Sequence, residues 1–169
     1  MMSQAIPISW DAVTSQVIPI SLWAPVTSQQ ITFYNVKDPY YQLSNFYRRP
    51  INVNGKEWVT AEHYFQAQKF IRYPILMNEI ENKISPKDAF NVACVNNKYK
   101  RSDWDNVKYE IMREALYEKF TQYADLKQVL KATGNRGLVE KLDDSYWKEE
   151  CEKRQNIVGI LLMEIREQI

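Results

Sequence analysis

Glycine, cysteine and histidine are scarce in this sequence. Its 169 residues include four glycines, two cysteines and one histidine. No G-x-G-x-x-G motif is present, which excludes a dinucleotide site of the glycine-rich type. Cys94 and Cys151 lie far apart and form no C-x-x-C pair. We therefore expect free thiols, a reducing cytoplasmic setting, and no structural metal site, because zinc needs more nitrogen and sulfur ligands than these.

Net charge and long apolar runs are also nearly absent. The sequence has 22 Lys and Arg residues and 21 Asp and Glu residues. This balance argues against a polybasic protein that binds nucleic acid mainly through its overall positive charge. A local pocket for a phosphate group is still compatible with it. No apolar run is long enough to span a bilayer, and Pro7, Pro19 and Pro25 interrupt any signal-peptide core. Aromatic residues are abundant, with 5 Trp and 11 Tyr, which is compatible with a pocket lined by aromatic rings.

The first 29 residues contain an internal repeat. The segment IPISWDAVTSQ at residues 6–16 returns as IPISLWAPVTSQ at residues 18–29. Proline in each copy excludes a helix interior or a central strand. Residues 1–29 are therefore interpreted as an extended tail, with the alternative of an arm that docks on this subunit or on another one and supports self-association. The globular domain is assigned to residues 30–169.

Local patterns predict a helix-rich α+β domain with a small antiparallel sheet. Residues 31–36 are rich in strand formers, and Asn54-Gly55 between two short alternating runs predicts a hairpin. A short strand is also predicted at residues 137–142. Capping residues, prolines and apolar spacing predict six helices, at residues 61–71, 75–83, from 85, 103–123, 124–132 and from 156.

The helix that follows Thr60 carries the most chemical information. Glu62, Gln66 and Lys69 are spaced i, i+4, i+7 and share one face, so a carboxylate and an amine could both reach one ligand. Spacing alone favours a solvated polar stripe instead. His63 faces away from Glu62 and is interpreted as a packing histidine rather than a catalytic base. The basic residues 98–101 fit a phosphate site and a soluble surface equally well.

Read in order, these strings resemble one family. The segment EHYFQAQKF at residues 62–70 is the most specific of them. Together the strings strongly resemble the YbiA/NADAR family, over residues 31–167 but not over the repeated tail. The other blocks that carry the resemblance are LSNFY at 43–47, Asn54-Gly55, Trp58, RSDW at 101–104, Lys119-Phe120, Thr133-Gly134, LVE at 138–140, DSYW at 144–147 and NIVGILLM at 156–163.

The resemblance implies a helix-rich YbiA-like α+β fold and a hydrolase that cleaves the C1′–N bond of a ribosylated base or amine. The implied substrates are a ribosylamino-pyrimidine phosphate of the riboflavin pathway or ADP-ribosylated guanine in nucleic acid, with no metal or organic cofactor. Glu62 is expected to stabilise charge at C1′, Lys69 to act as nucleophile, and Asp144 to act as acid or base. The residues expected to bind substrate are Ser44, Asn45, Phe46, Arg101, Trp104, Tyr146, Trp147 and Asn156.

One segment departs from the family pattern. Where the family has a glycine-rich stretch, residues 148–155 read KEECEKRQ, with three glutamates and no glycine. Carboxylates near a pocket rim disfavour a phosphate-rich substrate. The alternative function is therefore a non-catalytic module that binds ADP-ribose or a nucleotide. A third hypothesis is an assembly protein that contacts a partner through the N-terminal arm.

Overall fold

The computed structural model describes residues 30–141 and 156–169. These residues form four short strands and six α-helices, which confirms the predicted helix-rich α+β fold. The predicted N-terminal arm lies outside the described residues. In chain order the elements are β1 (Gln30–Phe33), β2 (Ile51–Val53), β3 (Lys56–Trp58), α1 (Ala61–Gln68), α2 (Pro74–Glu81), α3 (Pro86–Val95), α4 (Trp104–Gln122), α5 (Ala124–Ala132), β4 (Gly137–Glu140) and α6 (Ile157–Gln168).

The predicted hairpin is present as an antiparallel pair of β2 and β3. Ile51 lies opposite Trp58, and Val53 lies opposite Lys56. The two turn residues have φ values of 53° at Asn54 and 81° at Gly55. Asparagine and glycine tolerate this left-handed conformation better than other residues, which explains why local sequence was sufficient to locate the turn.

A second pair of strands is parallel and was not predicted. Strand β1 pairs with β4, with Ile31 opposite Leu138. Parallel strands need a long crossover connection, and here most of the helices lie between the two strands in sequence. Strand β1 ends at Phe33 rather than at residue 36, because the backbone amides of Tyr34 and Asn35 both donate to Asp38 Oδ2, each at 2.8 Å.

Side-chain caps set where two of the helices begin. Thr60 Oγ1 accepts a hydrogen bond from His63 N at 3.2 Å at the start of α1. Ser85 Oγ accepts one from Asp88 N at 3.1 Å at the start of α3, with Pro86 in the first turn. Each cap satisfies one of the amides that an isolated helix end leaves unpaired. Helix α1 ends at Gln68, three residues earlier than predicted.

Helix α4 packs against α1, α5, α6 and β2 and lies between two apolar clusters. Met112, Leu116 and Phe120 belong to the larger cluster, which also contains Leu138 from the parallel pair. Ala115 belongs to the second cluster, which α1, α2 and α3 complete. Within residues 30–141 and 156–169, no helix has both the length and the apolar character needed to cross a membrane.

The expectation of free thiols is wrong for Cys94. This residue, in α3, is disulfide-bonded, and Cys151 lies outside the described residues. Disulfide pairing depends on how closely two Cα atoms approach in the fold. The distance in sequence between the two cysteines therefore could not indicate whether Cys94 forms a disulfide.

Candidate active site

Glu62 lies in the first turn of α1 and is fully buried. Its two carboxylate oxygens have separate donors: Gln66 Nε2 donates to Oε1 at 2.6 Å, and Asn45 Nδ2 donates to Oε2. The backbone amide of Glu62 also donates to the carbonyl oxygen of Asn45, at 3.2 Å. Rotation of the carboxylate would break at least one of these bonds, so its orientation is set by its neighbours.

Lys69 directly follows α1 and is only 5% exposed. Its Nζ lies 5.3 Å from the ring centroid of Trp104 and 5.7 Å from that of Phe65. These two rings are themselves 4.9 Å apart, tilted at 58°. Trp104 has no exposed surface, which fits a wall of the site better than a platform on which a base stacks.

The polar face of α1 is therefore buried. Sequence spacing alone favoured a solvated stripe at Glu62, Gln66 and Lys69, and that interpretation is wrong because all three side chains are buried. A buried carboxylate and a buried amine two turns apart are costly to keep in a fold. Buried ionisable groups are concentrated at functional sites, although structural networks also hold some of them, so this face is the candidate site.

The segment that carries Asn45 is held in place from α4. Ser44 and Asn45 are buried, Phe46 is partly buried, and Ser44 Oγ accepts a hydrogen bond from Phe46 N at 3.2 Å. Lys119 Nζ donates to the carbonyl oxygens of Gln42, at 2.7 Å, and Ser44, at 2.8 Å. The site predictions did not include Lys119. The available signal was a charged residue at a core position of α4, one residue before Phe120.

Arg101 is close to the site through its backbone, while its side chain is engaged elsewhere. Arg101 N donates to the carbonyl oxygen of Lys69 at 2.9 Å. Its guanidinium forms two bonds to Asp103, at 2.6 and 2.7 Å, and these bonds lower the pKa of the Asp103 carboxyl. A phosphate bound by Arg101 would compete with this carboxylate.

The side-chain amide of Asn156 forms two hydrogen bonds to the backbone of strand β4. Its Oδ1 accepts from Glu140 N at 2.9 Å, and its Nδ2 donates to the carbonyl oxygen of Leu138 at 3.0 Å. These bonds attach the start of α6 to the parallel pair. The other predicted residues, Asp144, Tyr146 and Trp147, lie outside the described residues, as does the departing segment 148–155.

His63 is a packing histidine, as predicted. It is fully buried, its Nε2 lies 3.0 Å from the carbonyl oxygen of Lys83, and its Nδ1 lies 2.8 Å from Thr60 Oγ1. A carbonyl only accepts hydrogen bonds, so Nε2 carries the proton and Nδ1 accepts from the threonine hydroxyl. Burial lowers the pKa of His63, which further favours this neutral form.

Across residues 30–141 and 156–169, no group of three or more histidine, cysteine or carboxylate side chains forms a metal site. On one helix face and its continuation, these residues place a buried carboxylate held by two amides, one of them from the loop that carries Asn45, and a buried lysine against two aromatic rings. The class defined by this fold and site is a small helix-rich α+β domain with a buried carboxylate and a buried amine seven residues apart along one helix and its continuation.

The chain belongs to the NADAR domain family, whose model matches residues 32–169. It is 44% identical over 141 residues to the N-glycosidase YbiA of Escherichia coli, covering 82% of this chain and 88% of that protein. It is 39% identical to the N-glycosidase Npun_R5314 of Nostoc punctiforme, with 82% and 92% of the two chains covered. The NMR structure of E. coli YbiA superposes with a TM-score of 0.71 at 42% identity, covering 85% of this chain and 86% of that one.

A further relative is a riboflavin biosynthesis protein of Vibrio vulnificus. It is 33% identical over 148 residues, which are 85% of this chain and 40% of that protein. The family resemblance in the sequence is thus confirmed.

Proposed function

We propose that this protein is an N-glycosidase, a hydrolase that cleaves the C1′–N bond of a ribosylated amine or base. The observation that carries the proposal is the buried carboxylate of Glu62, held by two amides on the same helix that leads into buried Lys69. The names of the YbiA and Nostoc relatives support the same reaction.

The Glu62 carboxylate is suited to stabilise the positive charge that forms on the sugar during this reaction. When the C1′–N bond breaks, positive charge spreads over C1′ and the ring oxygen. A carboxylate whose orientation is already set needs no reorganisation to stabilise that charge, and enclosure away from water strengthens the interaction. The donors on Gln66 and Asn45 supply this preorganisation for Glu62.

Lys69 suits the role of nucleophile. In its neutral form, Nζ uses its lone pair to form a bond with C1′, while the electrons of the C1′–N bond leave with the base, which takes up a proton. The C1′–O4′ bond then opens, O4′ is protonated, and a Schiff base remains on Lys69. One water molecule adds to C1′ and releases both the sugar and the lysine, so the net reaction consumes one water.

The favoured substrate is a ribosylamino-pyrimidine phosphate of the riboflavin pathway. Two relatives, from Vibrio vulnificus and Zea mays, are named as riboflavin biosynthesis proteins. An ADP-ribosylated guanine shares the same C1′–N linkage and is the second substrate to assay. Asp144 as acid or base, and Tyr146 and Trp147 as binding residues, remain predictions from the family resemblance.

The decisive experiment traps the covalent intermediate. Purified protein is incubated with the ribosylamino-pyrimidine phosphate, and separately with ADP-ribosylated guanine in DNA. Borohydride is added, and the intact mass is read by mass spectrometry. We expect a sugar adduct with the first substrate, which disappears in Lys69→Ala. We also expect kcat/KM to fall by about a hundredfold or more in Glu62→Gln, because a preorganised charge is lost.

Two exposed residues provide matched controls. Lys131→Ala and Glu57→Gln make the same chemical changes on the surface and should keep both the adduct and the turnover. Nucleotide binding with no base release from either substrate would contradict the proposal and favour the non-catalytic module. Unchanged activity in both Glu62→Gln and Lys69→Ala would contradict the assignment of these residues.

A further inference from the structure

Exposed apolar side chains are concentrated at one end of the helix pair formed by α2 and α3. Within residues 30–141 and 156–169, eight large apolar side chains are exposed, and five of them lie at this end. Single exposed apolar residues are common on protein surfaces, whereas a cluster of them marks a contact surface. The five residues, called the tyrosine patch below, are Ile71, Tyr73, Ile75, Val95 and Tyr99.

The packing of the two helices places these residues together. Helices α2 and α3 pack against each other and are joined by a short connection, so they run antiparallel and the start of α2 lies beside the end of α3. The rings of Tyr73, just before α2, and Tyr99, just after α3, have centroids 5.3 Å apart. Ile75 in the first turn of α2 is 84% exposed, and Val95 at the end of α3 is 83% exposed.

The repeat in residues 1–29 has the composition that such a surface requires. Asp11 is the only charged side chain in these residues, and each copy carries Ile-Pro-Ile followed closely by tryptophan. Proline fixes its own φ and keeps the residue before it extended, so such a segment loses little conformational entropy when it binds. Proline-containing extended segments bind to surfaces lined by aromatic rings, which Tyr73 and Tyr99 supply here.

The first copy of the repeat can reach the patch of its own chain. The arm joins the domain at Gln30 in β1, which packs in the larger apolar cluster, while α2 and α3 belong to the second one. The chain from Ser9 to Gln30 extends up to about 70 Å. A path over half the surface of a domain of this length is roughly 60 Å. The chain from Ser21, in the second copy, extends only about 30 Å.

We propose that the first copy of the repeat, at residues 6–10, docks on the tyrosine patch of its own chain. A segment of the same chain is favoured over one from a second copy because its effective concentration at the patch is much higher. The inference does not depend on the proposed reaction. Tyr99 lies two residues before Arg101, whose backbone amide donates to the carbonyl oxygen of Lys69, so a docked arm would lie near the candidate site.

Photo-crosslinking in the full-length protein tests this docking. Benzoylphenylalanine, a photoreactive aromatic residue, replaces Tyr73 in one preparation and Tyr117 in the other. The two tyrosines are similarly exposed, at 43% and 38%, and Tyr117 lies in α4 outside the patch. After illumination of a dilute solution, adducts are mapped by digestion and mass spectrometry. We expect about tenfold more adduct with residues 6–16 from position 73 than from position 117, in a product of single-chain mass.

The two copies of the repeat provide a matched pair of variants. Ile6→Ser combined with Ile8→Ser removes the apolar side chains of the first copy and should reduce the adduct from position 73 by about tenfold. The same change in the second copy, Ile18→Ser with Ile20→Ser, should leave that adduct unchanged. A loss of the adduct only on changing the second copy would overturn the assignment to residues 6–10.

The patch itself provides a second pair. Ile75→Ser should also reduce the adduct, whereas Ile84→Ser, equally exposed but in the connection at the other end of the helix pair, should not. Equal amounts of arm adduct from positions 73 and 117 would overturn the inference, as would an adduct that survives all of these substitutions. A product of twice the chain mass would overturn the assignment to the same chain and indicate an arm supplied by a second copy.

Discussion

Lys119 is expected to make the stability of this protein rise with pH above neutrality. The side chain is fully buried in α4, and its Nζ donates to the carbonyl oxygens of Gln42 and Ser44. Burial lowers the pKa of Lys119 to about 7 from its ordinary value of 10.5, with Glu140 acting in the opposite direction. The folded protein therefore releases this proton near pH 7, while the unfolded chain keeps it up to about pH 10.5.

The sign of the effect follows from which state binds more protons. Below pH 7 both states hold the proton, and the folded state bears the full cost of the buried charge. Between pH 7 and 10.5 the unfolded chain binds one proton more, so unfolding becomes harder by about 1.4 kcal/mol for each pH unit. From pH 7 to pH 9, Lys119 should therefore add roughly 2 to 3 kcal/mol. The neutral amine still has two N–H donors for the two carbonyls.

The variant Lys119→Met isolates this contribution. It keeps the length of the side chain and removes the titrating group. It also leaves the buried carbonyl oxygen of Ser44 without its donor, which costs about 1 to 3 kcal/mol at every pH, and the partly buried one of Gln42, which costs less. Urea unfolding at half-unit steps from pH 6 to pH 9 gives the free-energy difference between wild type and variant.

We expect that difference to be flat below pH 7 and to widen above it. The exposed Lys131→Met variant is the control and should follow the wild type at every pH. A difference between wild type and Lys119→Met that stays constant from pH 6 to pH 9 would refute the reasoning. It would mean that the folded state holds the proton throughout.

Two further substitutions test how the fold supports the site. Thr60→Ala removes the cap of α1 and the hydroxyl partner of His63, so we expect a loss of about 1 to 2 kcal/mol in urea unfolding. Gly159→Ala would press a new Cβ against the carbonyl oxygen of Leu138, and we expect about 1 to 3 kcal/mol of destabilisation in a thermal melt. Gly137→Ala meets only a flexible side chain and should cost clearly less; equal losses would contradict the packing argument.

Features determined by neighbours in sequence could be predicted. The hairpin at Asn54-Gly55 depends on two residues that tolerate positive φ, and the start of α1 depends on a threonine hydroxyl within three residues of its donor. The helix α4 was predicted at residues 103–123 and is observed at Trp104–Gln122. In each case the controlling contact is local, so the sequence pattern carries it.

Features determined by distant contacts could not be predicted. The parallel pairing of β1 with β4 joins residues that are more than a hundred positions apart, and no local pattern records that register. Spacing located Glu62 and Lys69 on one face but indicated a solvated stripe. Burial of that face depends on Trp104 and on the loop at Asn45, which reach it only in the folded chain.

The N-terminus of α1 explains why that loop lies at the carboxylate. The first amides of a helix have no partner within the helix and require acceptors from elsewhere. Thr60 Oγ1 supplies one for His63 N, and the carbonyl oxygen of Asn45 supplies one for Glu62 N. The backbone bond that completes the helix end thus brings the Asn45 amide to the Glu62 side chain. Lys119 holds the carbonyl oxygen of Ser44, one residue earlier, so the orientation of Glu62 depends on contacts that also stabilise the fold.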